Sequence, residues 1–96
     1  MERSNIQTLR QVLERFLKET PLHSKLQERR IIEGWDEVMG RSVSRATDKL
    51  YIRNRVLYVH LSSSVLRNEL FMLRDDILKK LNRLAGEEVI KDISFK

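Results

Sequence analysis

The chain has 96 residues, of which 41% are hydrophobic and 34% are charged, and its formal net charge is +5. This length allows one domain with a hydrophobic core, so we predict a single domain over residues 1–96. The lack of cysteine excludes disulfide bonds and cysteine-liganded zinc, and the lack of a long apolar run excludes a membrane span and a secretory signal. A cytoplasmic protein is therefore expected.

The positive charge is concentrated in the middle of the chain. Residues 1–40 carry seven positive and seven negative side chains, and residues 68–96 carry six of each. The excess lies between residues 41 and 67, which indicates an anionic partner such as nucleic acid; a basic surface that only faces solvent is the alternative. The predicted nucleic-acid-binding residues are Arg41, Arg45, Lys49, Arg53, Arg55 and Arg67.

Two helices are predicted first. Pro21 ends the first helix, because the residue before a proline is pushed away from the helical region. The second helix covers about residues 24–39 and ends at Gly40. Gly34, beside Trp35, suggests the close approach of another backbone. The apolar faces are Ile6, Leu9, Val12, Leu13, Phe16 and Leu17 on the first helix, and Leu26, Ile31, Ile32, Trp35, Val38 and Met39 on the second.

A β-hairpin is predicted next. Residues 41–48 are mostly polar and indicate a loop or a short helical turn. Residues 49–53 and 56–61 predict two strands, and the second alternates apolar and polar side chains as a half-buried strand requires. Asn54 and Arg55 form a two-residue connection, in which asparagine tolerates positive φ.

The longest apolar-periodic segment begins after the serine run at 62–64. A serine there can accept a hydrogen bond from the first helical turn, and Gly86 stands where a left-handed C-cap is wanted. The spacing predicts one helix of about six turns, and residues 89–95 predict a third strand. The apolar stripe of this helix is Leu66, Leu70, Leu73, Ile77, Leu81 and Leu84.

The predicted order of elements is α-α-β-β-α-β. This order favours an α+β fold with a three-stranded mixed sheet, in which the third strand pairs in parallel and helices cover one face. The faces of the first two helices and the leucine stripe are expected to pack on that side. The residues predicted to be buried are Trp35, Leu57, Val59, Leu61, Leu66, Leu70, Leu73, Ile77 and Leu81.

The sequence contains no recognisable catalytic constellation. His23 and His60 are isolated in sequence, which favours surface or packing roles over metal binding or general-base chemistry. Asp75 and Asp76 are adjacent on a predicted helix, so their side chains diverge by about 100° and cannot act as a facing acid–base pair. A non-enzymatic protein without metal or cofactor is therefore predicted, and a hydrolytic enzyme is the least supported alternative.

Two weaker signals point to nucleic acid. Tyr51 and Tyr58 would offer stacking faces for bases if they lie on the open side of the sheet. Gly40, at the start of the basic segment, would let a phosphate backbone come close. Arg53 and Arg55 lie at the predicted turn, so reversing their charge is predicted to remove nucleic-acid binding and leave the fold intact.

From about Leu9 onward, the chain contains an ordered set of motifs: Trp35-x-x-Val38-Met39-Gly40, Leu57-Tyr58-Val59-His60-Leu61, Ser62-Ser63-Ser64-Val65-Leu66-Arg67-Asn68-Glu69-Leu70, Ile77-Leu78-x-x-Leu81-Asn82 and Val89-Ile90-x-x-Ile93-x-Phe95. This ordered set resembles the DciA family, formerly catalogued as a domain of unknown function.

The resemblance implies a domain similar to the K-homology (KH) fold and a role in bacterial DNA replication. It implies an adaptor that binds the replicative DNA helicase, helps to load it and makes weak contact with DNA, which is expected to be single-stranded. The alternative is a KH-like RNA-binding module without a helicase role. The residue three positions after Gly40 is Val43, whereas a KH nucleic-acid loop has a second glycine there.

Overall fold

A three-stranded sheet of mixed direction organises the part of the chain that the computed structural model describes, which is residues 2–96 without the side chains of residues 2–7 and 17–19. The elements in this range are α1 (Glu2–Glu19), α2 (Pro21–Met39), α3 (Arg41–Ala46), β1 (Thr47–Arg53), β2 (Val56–Leu61), α4 (Ser64–Met72), α5 (Arg74–Ala85) and β3 (Asp92–Phe95). The predicted α+β class is confirmed. None of the described helices is long and apolar enough to cross a membrane.

The central strand of the sheet is β2. It pairs antiparallel with β1, where Tyr51 lies opposite Tyr58, and parallel with β3, where Leu57 lies opposite Ile93. The predicted hairpin and the predicted parallel return are both confirmed. At the hairpin turn Asn54 has φ 52° and Arg55 has φ 65°, so both turn residues adopt the left-handed backbone that a tight two-residue connection needs.

One face of the sheet is covered and the other is open. Along β2, Leu57, Val59 and Leu61 are buried while the residues between them are half-buried, so the strand presents its apolar side to the helices. The buried apolar core consists of Ile31, Trp35, Val43, Leu57, Val59, Leu61, Leu70, Ile77, Leu81, Ala85, Ile90 and Ile93.

Helix α2 packs directly against α5. The backbone at Gly34 meets the side chain of Leu84, which occupies the space that a Cβ atom at position 34 would need. The close approach predicted at Gly34 therefore exists, but its partner is a leucine side chain rather than another backbone. Trp35 is buried beside this contact, and its Nε1 donates a hydrogen bond to Thr47 Oγ1 at 3.1 Å.

The predicted six-turn helix is wrong, because it is divided into α4 and α5 at Leu73. The predicted caps at its two ends are confirmed: Ser63 Oγ accepts a hydrogen bond from the Leu66 N–H, and Gly86 is left-handed. A straight helix over residues 64–85 would be about 33 Å long, longer than the roughly 20 Å of β2. The break lets both halves lie over the sheet, but Leu73, predicted to be buried, is 51% exposed at the junction. Leu66 is only half-buried.

The predicted packing of the first helix is also wrong. Helix α1 ends before Pro21 as expected, but Leu9, Val12, Leu13 and Phe16 are all exposed. Ile6 and Leu17, which were assigned to the same face, lie outside the described side chains. The segment predicted to be a loop or a short helical turn is the six-residue helix α3 and the start of β1, so the helical alternative describes most of it.

Candidate nucleic-acid interface

Four of the six predicted basic residues lie on neighbouring elements. Arg41 and Arg45 belong to α3, which leads directly into β1, and Lys49 and Arg53 belong to β1. All four side chains are exposed, and none forms an ion pair with a described side chain. We call these four residues the β1 cations.

Lys49 and Arg53 stand on the open face of the sheet. They are two residues before and two residues after Tyr51, so the three side chains point to the same side of β1. The register places Lys49 opposite His60 and Tyr51 opposite Tyr58. Both tyrosines therefore lie on the side of the sheet that the helices leave uncovered, which is the position that base stacking requires.

The aromatic side chains on the open face form a stack. The ring centroids of Tyr51 and Tyr58 are 5.0 Å apart with an interplanar angle of 16°, and His60 is tilted against Tyr51 at 5.7 Å. The ammonium of Lys96 lies 5.1 Å from the centroid of the Tyr58 ring. Tyr58 is thus covered by Tyr51 and by Lys96, whereas Tyr51, on the edge strand β1, is 40% exposed.

Arg55 is held away from the β1 cations by contacts with the segment before β3. Its Nε donates to the Val89 carbonyl at 3.2 Å, its Nη2 lies 3.8 Å from a carboxylate oxygen of Glu88, and its own carbonyl accepts from the Lys91 N–H at 2.8 Å. These contacts give Arg55 a structural role at the hairpin turn. Charge reversal at Arg55 would therefore disturb the β2–β3 connection as well as the surface charge.

Arg67 lies at the other end of β2. Its Nη2 donates to the Leu61 carbonyl at 3.1 Å, and its side chain is half-buried. Arg55 and Arg67 are separated by the length of β2, so the six predicted residues do not form one surface. The nucleic-acid-binding role of all six stays a prediction.

The acidic residue of β3 on the same open face is already paired. Asp92 lies opposite Val56 in the parallel register, its Oδ1 accepts from the Ile93 N–H at 2.8 Å, and it lies 3.6 Å from Arg74 Nε. Its charge is therefore offset locally, and on the β1 side the four exposed cations outnumber Asp48, the one acidic residue of that strand.

The remaining polar candidates show no catalytic geometry. His23 contacts Glu87 at 3.0 Å, and His60 Nε2 lies 3.5 Å from the Tyr51 hydroxyl. Asp75 and Asp76 lie in the first turn of α5, where carboxylates favour the positive end of the helix dipole. Among the described residues, no group of three or more histidine, aspartate or glutamate side chains could hold a metal ion.

The described residues form two exposed apolar surfaces, which include the α1 face and Leu73 that the sequence pattern predicted to be packed. The first, here called the α1 stripe, consists of Leu9, Val12, Leu13 and Phe16, which are 51–63% exposed. The second, here called the elbow, consists of Phe71, Met72 and Leu73 at the α4–α5 junction, which are 51–78% exposed. Contiguous exposed apolar patches often mark surfaces that bind another protein.

Comparison with protein families gives a match over most of the chain. The sequence model of the family described as "Dna[CI] antecedent, DciA" matches residues 8–95. No curated protein matches the chain. The matched range covers every element from the middle of α1 to the end of β3, including the open sheet face, the α1 stripe and the elbow.

Proposed function

Because the chain belongs to the DciA family, a family of helicase loaders and adaptors, we propose that it binds the bacterial replicative DNA helicase and helps to place it on DNA. The observation that carries this proposal is the family match over nearly the whole chain. In this proposal the protein supplies two surfaces, one for the helicase and one for DNA, and no catalytic group.

The helicase surface in this proposal is the α1 stripe. Its four residues stand at positions i, i+3, i+4 and i+7, which is the spacing by which an amphipathic helix fills an apolar groove on a partner protein. The stripe is exposed and takes no part in the buried core, so a partner can cover it without disturbing the domain.

A binding measurement with purified helicase tests this surface. In the double variant Leu13→Asp and Phe16→Asp, two aspartates would be forced into the apolar groove, so we expect the helicase affinity measured by calorimetry to fall at least about tenfold. The matched control is Phe71→Asp and Met72→Asp, which makes the same change at the elbow and should bind normally. Loss of binding in the control alone would move the helicase site to the elbow, and normal binding by both variants would refute both surfaces.

The DNA surface in this proposal is formed by the β1 cations. Cations of this kind attract phosphates without reading base sequence, so binding should be weak, insensitive to sequence and strongly weakened by salt through counterion release. Arg55 and Arg67 are bonded to backbone carbonyls and contribute less.

A salt titration with labelled single-stranded DNA tests this second surface. The variant Lys49→Glu and Arg53→Glu should lose most binding and should reduce the salt dependence of what remains, since both cations stand exposed on β1. The matched control is Lys79→Glu and Lys80→Glu, an identical change of charge at exposed sites on α5. Equal losses in both pairs would show that net charge alone governs binding.

The alternative of a KH-like RNA-binding module uses the same cations. The three glycines at positions 34, 40 and 86 leave no Gly-x-x-Gly sequence in the chain, so the usual KH clamp on the backbone of a strand has no counterpart here. Parallel titrations with oligo(dT) and oligo(U) separate the two: a marked preference for oligo(U), with no helicase binding, would favour the RNA-binding module.

A further inference from the structure

Among the described aromatic side chains on the open face of the sheet, Tyr51 is exposed, whereas Tyr58 and His60 are half-buried. Tyr58 has a ring on one side, Tyr51, and an ammonium on the other, Lys96. Tyr51 contacts the rings of Tyr58 and His60, which both belong to β2, and β1 is the edge of the described sheet, so no described strand covers the outer side of Tyr51. A cross-strand tyrosine pair stabilises a sheet, which accounts for the contact between the rings but not for the exposed outer side of Tyr51.

We infer that Tyr51 is a stacking platform for an unpaired base of single-stranded nucleic acid, with Tyr58 as its support. This inference rests on the proposed DNA contact and specifies how that contact is made. A base placed on the outer side of Tyr51 would extend the existing stack of two rings by a third. Tyr58 fixes the orientation of the Tyr51 ring in advance, which lowers the entropy cost of binding.

The neighbouring charges fit a nucleic-acid strand. Lys49 and Arg53 flank Tyr51 on the same face of β1, each two residues away, or about 7 Å along the strand. Cations on both sides of an aromatic ring can hold the phosphates before and after a stacked base, which is the usual combination in proteins that bind single strands.

The geometry favours single strands over duplexes. A base can stack on a side chain only if one of its faces is free, and the bases inside a duplex are covered on both faces by their neighbours. The β1 cations alone would bind either form, because phosphates are present in both. Tyr51 therefore adds a preference that charge cannot supply.

The test compares Tyr51→Val with Tyr51→Phe in the full chain. Valine removes the ring and keeps a strong strand former at the position, whereas phenylalanine keeps the ring and removes only the hydroxyl. The probes are a labelled oligo(dT) of about 20 nucleotides, an abasic strand of the same length and a duplex, since single-strand sites commonly span about 4–16 nucleotides. Thermal unfolding of each variant checks that the fold is retained.

We expect Tyr51→Val to weaken binding of oligo(dT) about 5- to 100-fold and to leave binding of the abasic strand and the duplex unchanged. Tyr51→Phe should bind oligo(dT) within about twofold of the wild type, because the stacking surface is kept.

The outcomes separate this inference from the proposed DNA contact. If Lys49→Glu with Arg53→Glu abolishes binding while Tyr51→Val binds oligo(dT) normally, the cations bind phosphate and the stacking platform is refuted. If Tyr51→Val weakens binding of the abasic strand equally, the ring acts through the structure of the face and not through a base, which also refutes it. If the wild type binds none of the probes, the proposed DNA contact fails as well.

Discussion

Helices α1 and α5 carry apolar side chains at the same helical spacing, yet their apolar faces lie in opposite environments. On α5, Ile77 and Leu81 are buried against α2 and the sheet. On α1, Leu9 and Leu13 are more than half exposed. Because the spacing is alike, the difference shows that periodicity identifies the residues that share a face, whereas the rest of the fold decides whether anything covers that face.

The largest effect that sharpens this comparison is expected at Leu81. Leu81 is completely buried, so Leu81→Ala should lower the free energy of unfolding by about 2–5 kcal/mol through lost transfer energy and a cavity. The equivalent change on α1, Leu13→Ala, should cost less than about 0.5 kcal/mol. Urea denaturation followed by Trp35 fluorescence measures both. A loss at Leu13 as large as the loss at Leu81 would show that α1 is covered in solution, for example by a second copy of the chain.

A smaller loss is expected when the polar edge of α5 is changed. The Asn82 side-chain amide donates to the Ile90 carbonyl at 2.9 Å, and its oxygen accepts from the backbone N–H groups of Val89 and Ile90 at 2.9 and 3.0 Å. Asn82→Ala would leave these backbone groups without partners beside the completely buried Ile90, which should cost about 1–3 kcal/mol. Lys79→Ala, at an exposed position of the same helix, is the control and should change stability little. Equal stability of the Asn82 variant in urea denaturation would mean that water replaces the amide.

The elbow joins the buried face of α5 to an exposed surface like that of α1. The sequence pattern put Leu73 in the core, where truncation to alanine would cost about 2–5 kcal/mol. Since its side chain is 51% exposed, Leu73→Ala should instead cost less than about 1 kcal/mol. Leu70→Ala, at a buried position one turn earlier, should show the full core effect in the same denaturation experiment. A core-sized loss at Leu73 would contradict the break between α4 and α5.

The smallest effect is expected at the contact between α2 and α5. In Gly34→Ala the new Cβ would displace the end of the Leu84 side chain, which can turn outward because it is 41% exposed. This displacement opposes a gain of about 1 kcal/mol in helix propensity, so the variant should unfold within about 1 kcal/mol of the wild type.

A double variant separates the two terms. With Leu84→Ala already present, Gly34→Ala should stabilise the protein by about 1 kcal/mol, because only the propensity gain remains. A destabilisation in that background would show that α5 backbone, and not the Leu84 side chain, limits the space at Gly34.

Local chemistry made much of the fold predictable from the sequence. Pro21, Ser63 and Gly86 mark helix ends through effects that act within a few residues, and the alternation along β2 identified its buried side. The break at Leu73 has no such signal, since neither glycine nor proline is present there. It follows from the mismatch in length between one straight helix and the sheet, which is a property of the assembled fold.

The candidate interface was predictable in its composition but not in its arrangement. Charge counting located the basic segment, and the strand pattern of β1 and β2 identified both tyrosines as candidate stacking faces. Only the register shows that Tyr51 and Tyr58 stack on each other and that Lys49 shares their face. The separate roles of Arg55 and Arg67 depend on carbonyl groups more than 30 and six residues away in sequence, respectively.

The mixed direction of the sheet has a consequence for the order of folding. Two residues connect β1 to β2, whereas residues 62–91 separate β2 from β3, so the hairpin closes a much shorter loop than the parallel pairing does. We expect the hairpin to form before the transition state and β3 to dock after it. Val59→Ala should therefore slow refolding, whereas Ile93→Val should mainly accelerate unfolding in stopped-flow kinetics. If the whole stability loss of Ile93→Val appeared as slower refolding, with the unfolding rate unchanged, β3 would belong to the folding nucleus.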